Sequence, residues 1–230
     1  MPLILKKDKA RLFKAGAIFL VWIIAVFYIG STISETADEA SKANPKITEA
    51  KNPTGYGLSD DEKTPEQKEK SEKLVALNRK SVTTDTSRVN KALGMDSQGW
   101  ETASTKQQDG VPSISVMFPQ GQDSSAWRES YVFRSFVNIT LKDPLPTVYN
   151  VYEQWIKEQV PDIKIEKVED NSGVTFTGTS AASKFFLSGK VFGGSLNETV
   201  HIAQYIIKND GKPDVEQKAQ EWSNKFLQIQ

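Results

Sequence analysis

An unbroken apolar run from Gly16 to Ile29, prolonged to Ile33 by Gly30, Ser31 and Thr32, follows directly on Lys6, Lys7, Lys9, Arg11 and Lys14. No other feature constrains the chain as strongly. About 17 to 25 apolar residues suffice to cross the hydrocarbon core as a helix. The stretch from 12 to 33 meets that length, and its only charge, Lys14, has a long stem that can reach back to the headgroups. The basic cluster precedes the run, while Glu35, Asp38 and Glu39 follow it. The positive-inside rule therefore predicts a cytoplasmic tail over 1–11 and places everything beyond 33 outside. Trp22, Phe27 and Tyr28 are read as anchor aromatics of this span. A cleaved signal peptide begins in the same way, but its apolar part is only about 7 to 15 residues long. Thr32-Ile33-Ser34 is a poor cleavage site, so an uncleaved anchor is expected.

The chain has no cysteine, which excludes a lipidated cysteine at its start and any disulfide in the external part. These features together predict a bacterial inner-membrane protein whose C-terminal domain faces the periplasm. With 29 basic and 29 acidic residues, no global field favours nucleic acid. Asn138-Ile139-Thr140 and Asn197-Glu198-Thr199 match the glycosylation acceptor pattern, but both fall in expected strands and are read as chance matches.

Residues 34–99 are rich in Asp, Glu, Lys, Ser, Thr, Pro and Asn, a composition that buries too little surface to offset ordering entropy. They are expected to form a polar stalk. Within it, Thr64-Pro65-Glu66-Gln67 has the form of a capping box with proline at the first helical position. Glu66 with Lys70 and Glu69 with Lys73 are favourable i,i+4 pairs. A polar helix near 65–80 is predicted, with Leu74, Val75 and Leu77 as its apolar cluster.

The folded domain is expected over 100–230. Ile114, Val116 and Phe118 alternate with Ser113, Ser115 and Met117, and the stretch from 131 to 139 is rich in Tyr, Val and Phe; both read as strands. Val148, Val151, Tyr152, Trp155 and Ile156 lie at helical spacing before Pro161. Four more strands follow, over 163–168, 174–179, 185–192 and 199–207, with Asn171-Ser172-Gly173 and Gly193-Gly194 as turns. A last helix starts at Pro213-Asp214, where Asp214 and Gln217 suit a capping box, and carries the stripe Val215, Ala219, Trp222, Phe226 and Ile229. The expected fold class is α+β: an antiparallel sheet of about six strands covered on one face by two helices.

Chemistry-bearing patterns are sparse. The single histidine, His201, sits between Val200 and Ile202 and reads as a half-buried sheet residue, because no nucleophile and acid accompany it in motif form. One histidine without cysteines gives no closed zinc shell, and Gly193-Gly194 lacks the spacing of a phosphate loop. Asp60-Asp61-Glu62 lacks the alternating ligands of a calcium loop. No catalytic, metal or cofactor residues are therefore assigned, and no enzyme is expected. The candidate interface is Trp127, Arg128, Glu129 and Tyr131, because tryptophan and arginine are enriched at interface hot spots.

A short tail, one anchor, a polar stalk and a small α+β domain resemble, in layout, type IV secretion inner-membrane components and TonB-like transducers. The former end on strands whereas this domain ends on a helix, and the latter carry a histidine in the anchor, which is absent here. The order of strands, helix, meander and final helix is similar to small α+β domains of the PsbP and Mog type. The expected function is a non-enzymatic interaction module in an envelope assembly such as a secretion or conjugation system. Its expected partners are the membrane and other envelope proteins, with homo-oligomers possible. The alternative is a tethered binding domain for a small molecule, lipid or cell-wall fragment, with Trp127, Tyr131 or Tyr205 at the pocket mouth.

Overall fold

The computed structural model describes residues 63–95, 99–108 and 111–229. In chain order they form α1 (Pro65–Ala92), β1 (Trp100–Gln108), β2 (Val111–Pro119), β3 (Glu129–Phe136), α2 (Pro144–Gln159), β4 (Lys164–Asp170), β5 (Gly173–Ser180), β6 (Phe185–Gly193), β7 (Val200–Lys208) and α3 (Val215–Leu227). Among the described residues no helix is long and apolar enough to cross a membrane. The expected anchor at 12–33, with Trp22, Phe27 and Tyr28, lies outside the described residues, as does Asp60-Asp61-Glu62.

The α+β class holds, and the sheet has seven strands in the order β1-β2-β3-β7-β6-β5-β4. Every neighbouring pair is antiparallel. Two meanders, β1 to β3 and β4 to β7, thus meet along β3 and β7 at the centre. The expectation of helices on one face only is corrected. Tyr149, Tyr152, Trp155 and Ile156 of α2 pack with Val174, Phe176, Leu187, Val191, Ile202 and Ile206 on one face. Trp222 and Phe226 of α3, with Val89 of α1, pack with Tyr131, Phe133, Phe192, Ala203, Tyr205 and Ile207 on the other. Residues of both parities in β7 are buried, which requires cover on both sides. The result is three layers, helix, sheet and helix.

The N-terminal helix is also longer and more committed to the fold than a solvated spacer would be. Its start follows the expected chemistry: Thr64 and Gln67 close a capping box, Pro65 opens the helix, and the Glu66–Lys70 and Glu69–Lys73 pairs form at 2.6 Å. It then runs on to Ala92 and buries Ser71, Asn78, Ser81, Val82, Asp85 and Val89. Its first turns are mostly exposed. The reason it reads as solvated is that its inward stripe is largely polar, so a count of apolar residues misses it.

The two sheet edges are blunted in different ways. β4 is a run of alternating charge, Lys164, Glu166, Lys167, Glu169 and Asp170, and is mostly exposed. β1 is polar, exposed along most of its length, and departs from regular register twice against β2. Charge and irregularity both oppose pairing with a further strand.

Candidate functional site

The sheet face beneath α1 holds a chain of polar groups, buried at Ser81, Asp85, Ser135 and His201 and reaching the surface at Ser195. Ser135 on β3 pairs with His201 on β7 in the ladder, so the two side chains share one face. Ser135 Oγ lies 3.0 Å from His201 Nδ1, and His201 Nε2 lies 3.0 Å from Asp85 Oδ2 of α1. A carboxylate can only accept, so Nε2 carries a proton and donates to Asp85; in the neutral ring Nδ1 then accepts from the Ser135 hydroxyl. Asp85 Oδ2 also accepts from the Ser195 amide at 2.9 Å and the Ser195 hydroxyl at 3.1 Å. The Ser81 and Ser195 hydroxyls meet at 2.8 Å. The imidazole is flanked by Phe133 and Phe192, with ring centres 5.0 and 5.4 Å away.

Sequence reasoning gave His201 no companions, because Asp85 and Ser135 lie 116 and 66 residues away and belong to no motif. A serine, histidine and carboxylate in a row is the arrangement that activates a nucleophile. Here His201 is fully buried, Asp85 is 1 % exposed and Ser135 is 6 % exposed, under α1. A substrate atom would need to come within about 3 Å of the hydroxyl, and Ser135 is largely covered. What the chain of groups does perform is attachment: it joins α1 to β3, β7 and the loop after β6.

Asp85 also makes this attachment sensitive to acid. Burial pushes its carboxyl up, but hydrogen bonds from His201, the Ser195 amide and the Ser195 hydroxyl outweigh burial and lower it to about 2 from an ordinary 3.8. The folded value lies below the unfolded one. The linked stability, about 2 kcal/mol, is therefore present above about pH 4 and is lost as pH falls through about 2. Acid unfolding followed by circular dichroism should show this loss between pH 4 and 2, and Asp85→Asn should flatten that limb.

The residues expected at an interface are placed differently. Tyr131 is wholly buried, 5.9 Å from Trp222, and Glu129 is 6 % exposed, accepting from Tyr205 Oη at 2.9 Å and from Lys218 Nζ at 2.5 Å. Neither offers a surface to a partner, because β3 is a central strand with both faces covered. Arg128 spans the strand end and the start of α3, donating to Asp210 at 2.9 Å and to Asp214 at 2.7 and 3.1 Å. That explains a second departure from expectation: Asp214 makes no side-chain cap on α3, since its oxygens serve Arg128. Trp127 is half-buried against the α2-side core, with Lys208 Nζ 4.1 Å from its ring centre.

Beside the polar chain, at the same end of the sheet, the loops before α2 and after β6 enclose a groove of about 330 Å³ lined by Ile139, Leu141, Leu145, Leu196 and Val200, with Glu198 and Asn197 among its polar residues. Both segments matching the glycosylation pattern fall in these loops rather than in strands. Asn138 accepts from Asn78 of α1 at 3.4 Å, so α1 borders this end. Gly194 is required here for space rather than for its φ: a Cβ would stand 2.8 Å from both His201 Nε2 and Thr199 Cγ2.

No protein-family model and no curated protein sequence matches the chain.

Proposed function

We propose that this chain is a single-pass inner-membrane protein with its N-terminus in the cytoplasm and its domain in the periplasm. The domain docks on another envelope protein as a non-enzymatic accessory or structural component of an assembly such as a secretion or conjugation system. The observation that carries this reading is the construction of α1. At 28 residues it extends about 42 Å. Its first turns are polar and exposed, while its later turns are fastened to the sheet through Asp85, His201 and Ser195. A helix fixed in this way carries a definite direction from the preceding polar segment into the domain. A freely jointed linker would not. The apolar run over 12–33 supports the attachment to a bilayer, and α1 supports a held orientation towards a partner.

The alternative of a ligand pocket with Tyr131 or Tyr205 at its mouth has less support, since both side chains are wholly buried in the core. The test begins with the full chain in bacterial membranes. It should stay with the membrane in alkaline carbonate and leave it in detergent, and alkaline phosphatase fused to the C-terminus should be active. Release by carbonate, or an inactive phosphatase, would overturn the topology. The native size in mild detergent should then reveal a discrete complex larger than a homodimer; a lone monomer would favour the ligand-binding alternative.

A further inference from the structure

We infer that the groove between the loops before α2 and after β6 binds a short peptide segment of the partner that places an aliphatic residue beside a lysine or arginine. This deepens the interaction-module reading and rests on it. The walls supply aliphatic surface from Ile139, Leu141, Leu145, Leu196 and Val200, and Glu198 is the single ionisable residue in the lining. An aliphatic body with a cationic neighbour complements that lining, whereas an anionic lipid headgroup meets the wrong charge. At about 330 Å³ the groove is at the lower end of ligand clefts, which run from roughly 300 to 1,000 Å³. It thus accommodates a few side chains rather than a large cofactor.

The groove is also held in shape. The Ile139 amide donates to the Glu198 carbonyl at 2.8 Å, tying one loop to the other. Among the described residues three non-glycine residues have positive φ, and two of them, Asn138 at 60° and Glu198 at 65°, stand in these two loops. Such backbone persists where the surroundings enforce it, and it concentrates at binding sites. Gly194 is part of the lining, and a Cβ there would stand 2.8 Å from His201 Nε2 and Thr199 Cγ2, so no side chain fits at that position without a shift. Gly193 differs, since a Cβ there would meet nothing within 4 Å. Gly193 lines the groove, so a side chain added there enters open space beside the lining without disturbing the core.

The test uses the full chain in phosphatidylcholine nanodiscs, with empty nanodiscs as control, and two fluorescein-labelled peptides, Gly-Leu-Leu-Lys-Lys-Gly and Gly-Leu-Leu-Glu-Glu-Gly, followed by anisotropy. Saturable binding is expected, with the lysine peptide preferred by about fivefold to tenfold. Gly193→Leu should abolish binding, and Glu198→Gln should keep it while erasing the preference, both with unchanged melting temperatures. Equal binding of the two peptides, indifference to Gly193→Leu, or no saturable binding would each overturn the assignment. Any of these with the membrane topology and native complex intact would leave the interaction-module reading standing, whereas loss of membrane attachment would remove that reading itself.

Discussion

Asp85→Ala is expected to lower the melting temperature of the protein by about 10 °C, equivalent to ~3–4 kcal/mol in a domain of this size. Truncation removes more than a pair energy, because it strands a partner. His201 Nε2, now bound to Asp85 at 3.0 Å, would remain inside with nothing to receive its proton, while the Ser195 amide, bound at 2.9 Å, belongs to an exposed residue and can turn to water. The loss should be accompanied by faster protease cleavage within α1, since Val82, Val89 and Leu93 are then its main hold on the sheet. Replacing both partners with apolar residues, Asp85→Leu with His201→Phe, should recover part of the loss, as the stranded imidazole N–H is then gone. A melting temperature within about 2 °C of the parent for Asp85→Ala would mean that the network does not secure α1.

Trp222→Ala should cost a similar amount, ~3–5 kcal/mol. Trp222 is 4 % exposed and lies flat on Tyr205, with ring centres 4.3 Å apart and planes 7° from parallel. Trp100 meets it edge-on at 5.7 Å, and Phe226 and Tyr131 close the cluster at 5.8 and 5.9 Å. Deleting the indole therefore opens a cavity bounded by β1, β3, β7 and α3 at once. Trp222→Phe keeps part of the ring surface and should cost less than half as much. Chemical denaturation measures both, and the near-ultraviolet circular dichroism of the cluster should collapse in the alanine variant. Equal costs for the two substitutions would show that shape rather than buried volume governs this site.

The parts of the fold legible in sequence are those whose side chains alternate or repeat. β5 was readable from Val174 and Phe176 against Thr175 and Thr177, and α2 from Tyr152, Trp155 and Ile156; the observed elements fall within a few residues of those patterns. β1 was missed because nearly all of its residues are exposed and polar, so burial writes no period into it. The full extent of α1 was missed for a related reason: it meets the sheet through serines, Asn78 and Asp85, residues that read as solvated until their partners are known. The opposed placement of helices was nevertheless present in β7, where Val200, Ile202 and Ile206 point one way and Ala203, Tyr205 and Ile207 the other. Of the candidate site, the glycine pair, His201 and the two Asn-x-Thr segments stand out in the sequence. The companions of His201 come from α1 and β3, and no local pattern brings such distant residues together. Trp127 and Arg128 read as an interface hot spot, yet Asp210 and Asp214, which accept from Arg128, lie 82 and 86 residues further on.

The joining of two meanders along β3 and β7 also governs the order in which the fold can be completed. β3 pairs with residues 64 to 78 positions later, from Phe136 with Val200 to Glu129 with Ile207. As the chain emerges from its N-terminus, the first three strands and α1 must wait with Tyr131 and Phe133 uncovered until the last strand arrives. His201, the fastening point of α1, comes with that same strand. α1, although synthesised before every described strand, is thus secured among the last, and the domain closes in one late step rather than growing strand by strand.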